Sequence, residues 1–189
     1  MTWQECLKEL EDQKQWEDAI YYMEDIIEEN PDDMQAYIFM EYLVMNLLVE
    51  EDYDRSKSGY YESLTLKYFK EGYSKFSHNP GFLYYTGIIA CMSEWYFGIE
   101  IEEAEEMRKK AYLLDPHNIV YQWKSVEDVS ISNITNVKKV TEYAKMILHD
   151  NAFLWHELEK KGSLGQYVFQ LMQFWADHII RGDFNLQSL

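Results

Sequence analysis

Carboxylates dominate the residues of this 189-residue chain that could do chemistry. Over a helical stretch beginning at Trp16, Glu17, Glu24 and Glu28 fall along one line of the surface and Asp18, Asp25 and Glu29 along the next, with Tyr21 and Tyr22 interleaved. Asp32 and Asp33 follow, and a second acidic run, Glu50-Glu51-Asp52-Tyr53-Asp54, precedes a change of sign at Arg55 and Lys57. Like charges at helical spacing repel by a few tenths of a kcal/mol per pair, so such a row predicts neutralisation from outside the chain. Calcium fits poorly, because no Asp-x-Asp-x-Asp-Gly loop is present. A basic protein fits better, since opposed potentials speed association and tyrosine rings add contact area. The expected partner-binding set is therefore Glu17, Asp18, Tyr21, Tyr22, Glu24, Asp25, Glu28, Glu29, Asp32, Asp33, Glu51, Asp52, Tyr53 and Asp54.

Catalytic signatures are missing. The chain has no Gly-x-Ser-x-Gly elbow, no Walker loop and no dinucleotide fingerprint. Its histidines, at 78, 117, 149, 156 and 178, form no His-Glu-x-x-His and no pair of Glu-x-x-His motifs, so neither a zinc site nor a di-iron bundle is expected. The expectation is a non-catalytic protein without metal or cofactor. An enzyme of unrecognised class and a DNA mimic that blocks a nucleic-acid enzyme are the alternatives.

Charge also excludes function classes. The formal net charge is −17, which opposes gripping a phosphate backbone or an anionic membrane surface. It is unevenly placed: residues 1–54 carry 17 acids against Lys8 and Lys14, whereas residues 55–189 carry 17 acids and 15 bases. Cys6 and Cys91 have no paired spacing, which suits a reducing compartment. The Met1–Leu10 stretch has no basic start and holds Glu5 and Glu9, so no secretory signal is predicted. The longest apolar stretch, Ala36 to Val49, is interrupted by Glu41 and Asn46 and is too short to span a bilayer. Together these predict a cytoplasmic protein.

The elements that must position the acids are helices. Ala19, Ile20, Met23, Ile26 and Ile27 recur at three- and four-residue spacing, the mark of one buried helical stripe, and strand alternation is nearly absent. Asn30-Pro31, Asn79-Pro80 and Asp115-Pro116 punctuate the pattern, because proline cannot donate to the helical ladder. Overlaying these stops exposes a repeat: Ala19 and Ala104 each lie twelve residues before a proline, with Trp16 and Ile101 three residues earlier. Ala111 is a second small position, and Asn136 to Val140, followed by Ala144, Ile147 and Leu148, forms a more degenerate copy.

Those residues resemble the tetratricopeptide repeat, a helical hairpin of about 34 residues. The likeness covers roughly residues 2–150, with Trp3 at the family's first-helix aromatic and Thr86-Gly87 at its Leu-Gly pair. The second unit departs from it, with an insertion around Glu50 to Gly59 and Tyr68 where a small residue belongs. The resemblance implies an all-α, single-domain array over residues 1–189, with hairpins at 2–29, 32–77, 81–114 and 118–149 and a terminal cap over 152–181. Within that cap, Leu154 to Lys161 is expected to be a short helix, Gly162 to Gly165 a break, and Gln166 to Ile180 the last helix. The last helix either caps the stack or docks a partner through Phe169, Phe174 and Trp175. In size, acidity and helical repetition the chain is also similar to immunity proteins of bacterial toxin systems, such as contact-dependent growth inhibition. That likeness implies occlusion of a cationic, nuclease-like toxin; an adaptor or chaperone is the sister reading.

Overall fold

The computed structural model describes residues 2–127, 134–150 and 152–181, and among these every regular element is helical, with no strand. The protein is all-α. Two compact units divide at the third proline stop, residues 1–114 and 115–189.

The first unit contains α1 (Trp3–Asp12), α2 (Trp16–Glu29), α3 (Met34–Glu50), α4 (Ser58–Phe76), α5 (Pro80–Met92), the single turn α6 (Glu94–Phe97) and α7 (Ile101–Leu114). The helices pack in pairs, α1 on α2, α3 on α4 and α5 on α7, and α3 also lies against α2 and α5. Local chemistry sets the boundaries. Thr2 and Glu5 form a capping box at α1, the Glu5 carboxylate accepting from the Thr2 N–H at 2.7 Å. Asp33 Oδ1 accepts from the Gln35 amide at 2.9 Å to start α3. Asn79 Oδ1 accepts from the Gly81 and Phe82 amides, with Pro80 just inside α5 where its missing N–H costs nothing. The expected insertion around Glu50 to Gly59 falls on the end of the 17-residue α3, the start of the 19-residue α4 and the connection between them, which makes a 3-10 turn over Arg55–Lys57.

Helix α3 is buried on all sides, from Ala36 to Met45 and again at Leu47 and Leu48. The interruption that the sequence shows at Glu41 is therefore a carboxyl in the core. Its Oε2 accepts from the Thr86 hydroxyl of α5 at 2.6 Å, and its Oε1 has no hydrogen-bond partner. Burial holds Glu41 up at about 8, the Thr86 bond lowering it only in part. Small residues let the helices close on this core. Ala19 and Ala104 are fully buried, and a Cβ on Gly87 of α5 would sit 2.8 Å from Arg108 Cγ and 3.0 Å from the Ala104 carbonyl oxygen of α7. Gly72, a turn beyond Tyr68 on α4, permits a similar approach, since a Cβ there would lie 2.9 Å from the Phe82 ring. Trp3 packs edge-on against Phe39, with ring centroids 5.1 Å apart.

The second unit contains α8 (Ile119–Glu127), α9 (Ile134–Lys145) running on into a π-helical turn (Met146–Asp150), α10 (Ala152–Glu159) and α11 (Gly162–Arg181). Helix α9 packs on α8 and α11, and α10 packs on α11. Val140, Ala144 and Ile147 are buried with Trp123, whose indole N–H donates to the Val140 carbonyl at 3.1 Å. One expectation is corrected here. The break before the last helix is the turn at Lys160 and Lys161, and Gly162 to Gly165 already belong to α11. Gly162 turns the chain with φ of 55°, and Gly165 is where α10 crosses closest: a Cβ there would lie 1.8 Å from the Leu158 carbonyl oxygen. Of the three α11 residues named above as possible docking aromatics, Phe174 is exposed, whereas Trp175 is buried and its carbonyl accepts from the Thr141 hydroxyl of α9 at 3.2 Å.

Candidate functional site

Helices α2 and α4 face each other across a groove in the first unit. Glu17 pairs with Lys57, the Tyr68 hydroxyl donates to Glu24 Oε1 at 3.1 Å, and Asp32 lies 4.0 Å from Lys75. These pairs advance together along both segments, so the two helices run in the same direction. One wall is acidic, with Glu24, Asp25 and Glu28; the other carries Lys67, Lys70 and Lys75 beside Glu71; Tyr37, Tyr68 and Ile27 form the floor. The wide end has a volume of about 830 Å³. A narrower cavity of about 210 Å³ opens near the helix starts, lined by Glu17, Ile20, Tyr21, Lys57, Tyr60 and Tyr61.

Hydrogen bonds tie the lysine wall to the tyrosine floor. Lys67 donates to the Tyr68 hydroxyl at 3.0 Å and lies 4.3 Å from that ring, and Lys75 donates to the Tyr37 hydroxyl at 3.1 Å. Burial, and after it the Glu24 carboxylate, pushes the Tyr68 hydroxyl up, so it stays a donor throughout the physiological range. Burial and then Glu24 raise Tyr60; burial and then Glu17 raise Tyr61, with Lys57 opposing.

The structure sorts the fourteen expected residues by what they touch. Glu17, Tyr21, Glu24, Asp25 and Glu28 line the groove. Asp18 and Glu29 are exposed on α2 beside it. Tyr22 turns toward α1, where burial and then a hydrogen bond with Cys6 raise it. Asp33 is occupied as the α3 cap, and Asp54 caps the 3-10 turn, its carboxylate lowered by the side-chain and backbone bonds of Ser56. Glu51 pairs with Lys14 at 2.9 Å, and Asp32 lies near Lys75. Tyr53 packs edge-on against Tyr61 at 5.5 Å with the Arg55 guanidinium 4.4 Å from its ring, while Asp52 is exposed. Some of the acidic row is thus neutralised from within the chain. Asp18, Asp25, Glu28 and Glu29 make no side-chain hydrogen bond or ion pair among the described residues.

Sequence reasoning missed the opposing wall. Lys67, Lys70 and Lys75 recur at three- and five-residue spacing on α4, a signal visible in the sequence as the only basic helix face near the acidic run. Among the described residues no helix is long and apolar enough to cross a membrane. No family model, curated protein or solved structure matches the chain.

Proposed function

We propose that the chain is a non-catalytic protein-binding module whose α2 face captures a basic protein, in its most concrete form a cytoplasmic immunity protein that occludes a cationic, nuclease-like toxin. The observation carrying this reading is the exposed row Asp18, Asp25, Glu28 and Glu29, which form no side-chain hydrogen bond or ion pair among the described residues although Lys57 and Lys75 answer their neighbours. A row of unpaired carboxylates costs stability on the helix and repays it when an opposite surface docks. The helical pairs are read as tetratricopeptide-like hairpins, supported by the fully buried Ala19 and Ala104 and by Gly87 against Ala104, with α11 as a cap.

Capture from cell lysate on the immobilised chain, washed in parallel at low and high salt, tests the reading. A basic protein retained at low salt and weakened at high salt is expected, since exposed charge pairs are screened within about 10 Å at 0.1 M salt. Asp25→Lys, Glu28→Lys and Glu29→Lys together should abolish that capture with the helical spectrum unchanged. Capture unaffected by the triple reversal refutes the role of this face. The lysine wall favours a second reading, an adaptor holding a peptide of mixed charge in the wide end; Lys70→Glu would then matter more than the reversals on α2.

A further inference from the structure

We infer that the small cavity between the starts of α2 and α4 is an anchor pocket for one arginine side chain of the basic partner, its guanidinium lying against Tyr21 and Tyr60 and taking Glu17 from Lys57. The inference rests on the basic-partner reading and adds the chemistry of one contact.

The cavity's size and walls suit such a group, and its one carboxylate, Glu17, is held only by Lys57 among the described residues. At about 210 Å³ it is smaller than the roughly 300–1,000 Å³ of small-molecule sites, and suits a single side chain. Three of its six lining residues are tyrosines, and Tyr21 and Tyr60 are 57% and 44% exposed, so their rings are accessible from solvent. Tyrosine faces attract cations, and a planar guanidinium stacks on them better than a compact ammonium does. At the cavity wall, Glu17 supplies a carboxylate that can accept two parallel N–H bonds from a guanidinium. The neighbouring turn already holds one guanidinium in this manner: Arg55 stacks on Tyr53 and donates to its hydroxyl at 3.1 Å.

Lys57 now pairs with Glu17, and that pair is open to solvent, with side-chain exposures of 40% and 54%. An exposed lysine–carboxylate pair contributes little, so an arginine that also gains two ring contacts displaces it. Lys57 is therefore a competitor for the pocket, and removing its charge strengthens binding.

Titration of the full chain with a blocked glycine pentapeptide bearing one central arginine, followed through tyrosine ring signals by NMR, tests this directly. Lysine and citrulline versions serve as probes of charge and shape. The arginine peptide is expected to shift Tyr21 and Tyr60, the lysine peptide to bind more weakly, and the citrulline peptide not to bind. Tyr60→Ala should weaken binding by about two- to fivefold, the factor one exposed cation–π contact supplies, and Lys57→Gln should strengthen it. Equal responses to arginine and citrulline, or an unchanged affinity in Lys57→Gln, overturn the inference. If the peptides fail while the α2 reversals still abolish capture, the anchor falls and the acidic-face reading stands. If the arginine peptide binds as described while the reversals leave capture intact, that reading falls and the pocket stands.

Discussion

Replacing Glu41 with Gln should flatten the pH dependence of the first unit's stability. The carboxyl is fully buried between α3, α4 and α5, where Thr86 donates to one oxygen, the Phe82 ring and Gly72 lie nearby, and the other oxygen has no partner. Its folded value of about 8 stands above the ordinary 4.5, so between these limits the folded chain holds a proton that the unfolded chain has released. Stability must then fall as pH rises, by up to about 1.4 kcal/mol per pH unit and about 5 kcal/mol in total, before levelling above pH 8. The Gln variant carries no such slope. Its amide keeps the acceptor for Thr86 and, like the O–H of the protonated carboxyl, buries a donor at the unpartnered position, so the two forms are close in stability at low pH. The two curves should diverge as pH rises above about 5, with the variant clearly ahead at pH 9. Urea denaturation of the full chain, followed by far-UV circular dichroism from pH 5 to pH 9, measures both curves. Parallel profiles for the wild type and the variant would refute the reasoning, because they would mean that Glu41 titrates alike in the folded and unfolded chain.

Packing and capping give two further predictions. Gly165→Ala should destabilise the second unit by about 1–3 kcal/mol or more, read as a lowered melting temperature, because the new Cβ would fall 1.8 Å from the Leu158 carbonyl oxygen, a backbone atom that cannot turn aside. Asn79→Ala removes the acceptor for two amides at the start of α5 and should cost about 1–2 kcal/mol in urea unfolding, whereas Asn79→Asp should be nearly neutral.

Helices and their ends were legible in the sequence because their causes are local. The stripe from Ala19 to Ile27 and the Asn79-Pro80 start each depend on residues within a turn or two, and α2 and α5 lie where these signals put them. Glu41 was harder to read. In a helix with one wet face an acid marks the solvent side, and only the burial of α3 from every direction, a tertiary fact, turns it inward. The acidic row was legible as a row, but its state was not. Lys57 and Lys75 meet Glu17 and Asp32 from about 40 residues away, and nothing local to α2 announces them. The Gly162 and Gly165 pair reads as a break by propensity. Gly165 is instead inside α11, because the crossing with α10 needs a residue without a side chain more than the helix needs one with it.

The bond between Thr86 and Glu41 also acts as an alignment key. Apolar side chains along α3 and α5 can exchange neighbours when one helix slides past the other by a turn, because dispersion contacts carry little direction. A hydroxyl and a carboxyl cannot. Such a slide would strand both groups in a dry interior, at about 1–3 kcal/mol for each unpaired group, while the correct alignment joins them at 2.6 Å. A single polar pair thus distinguishes one helix setting from the sliding alternatives that an all-apolar interface would leave close in energy.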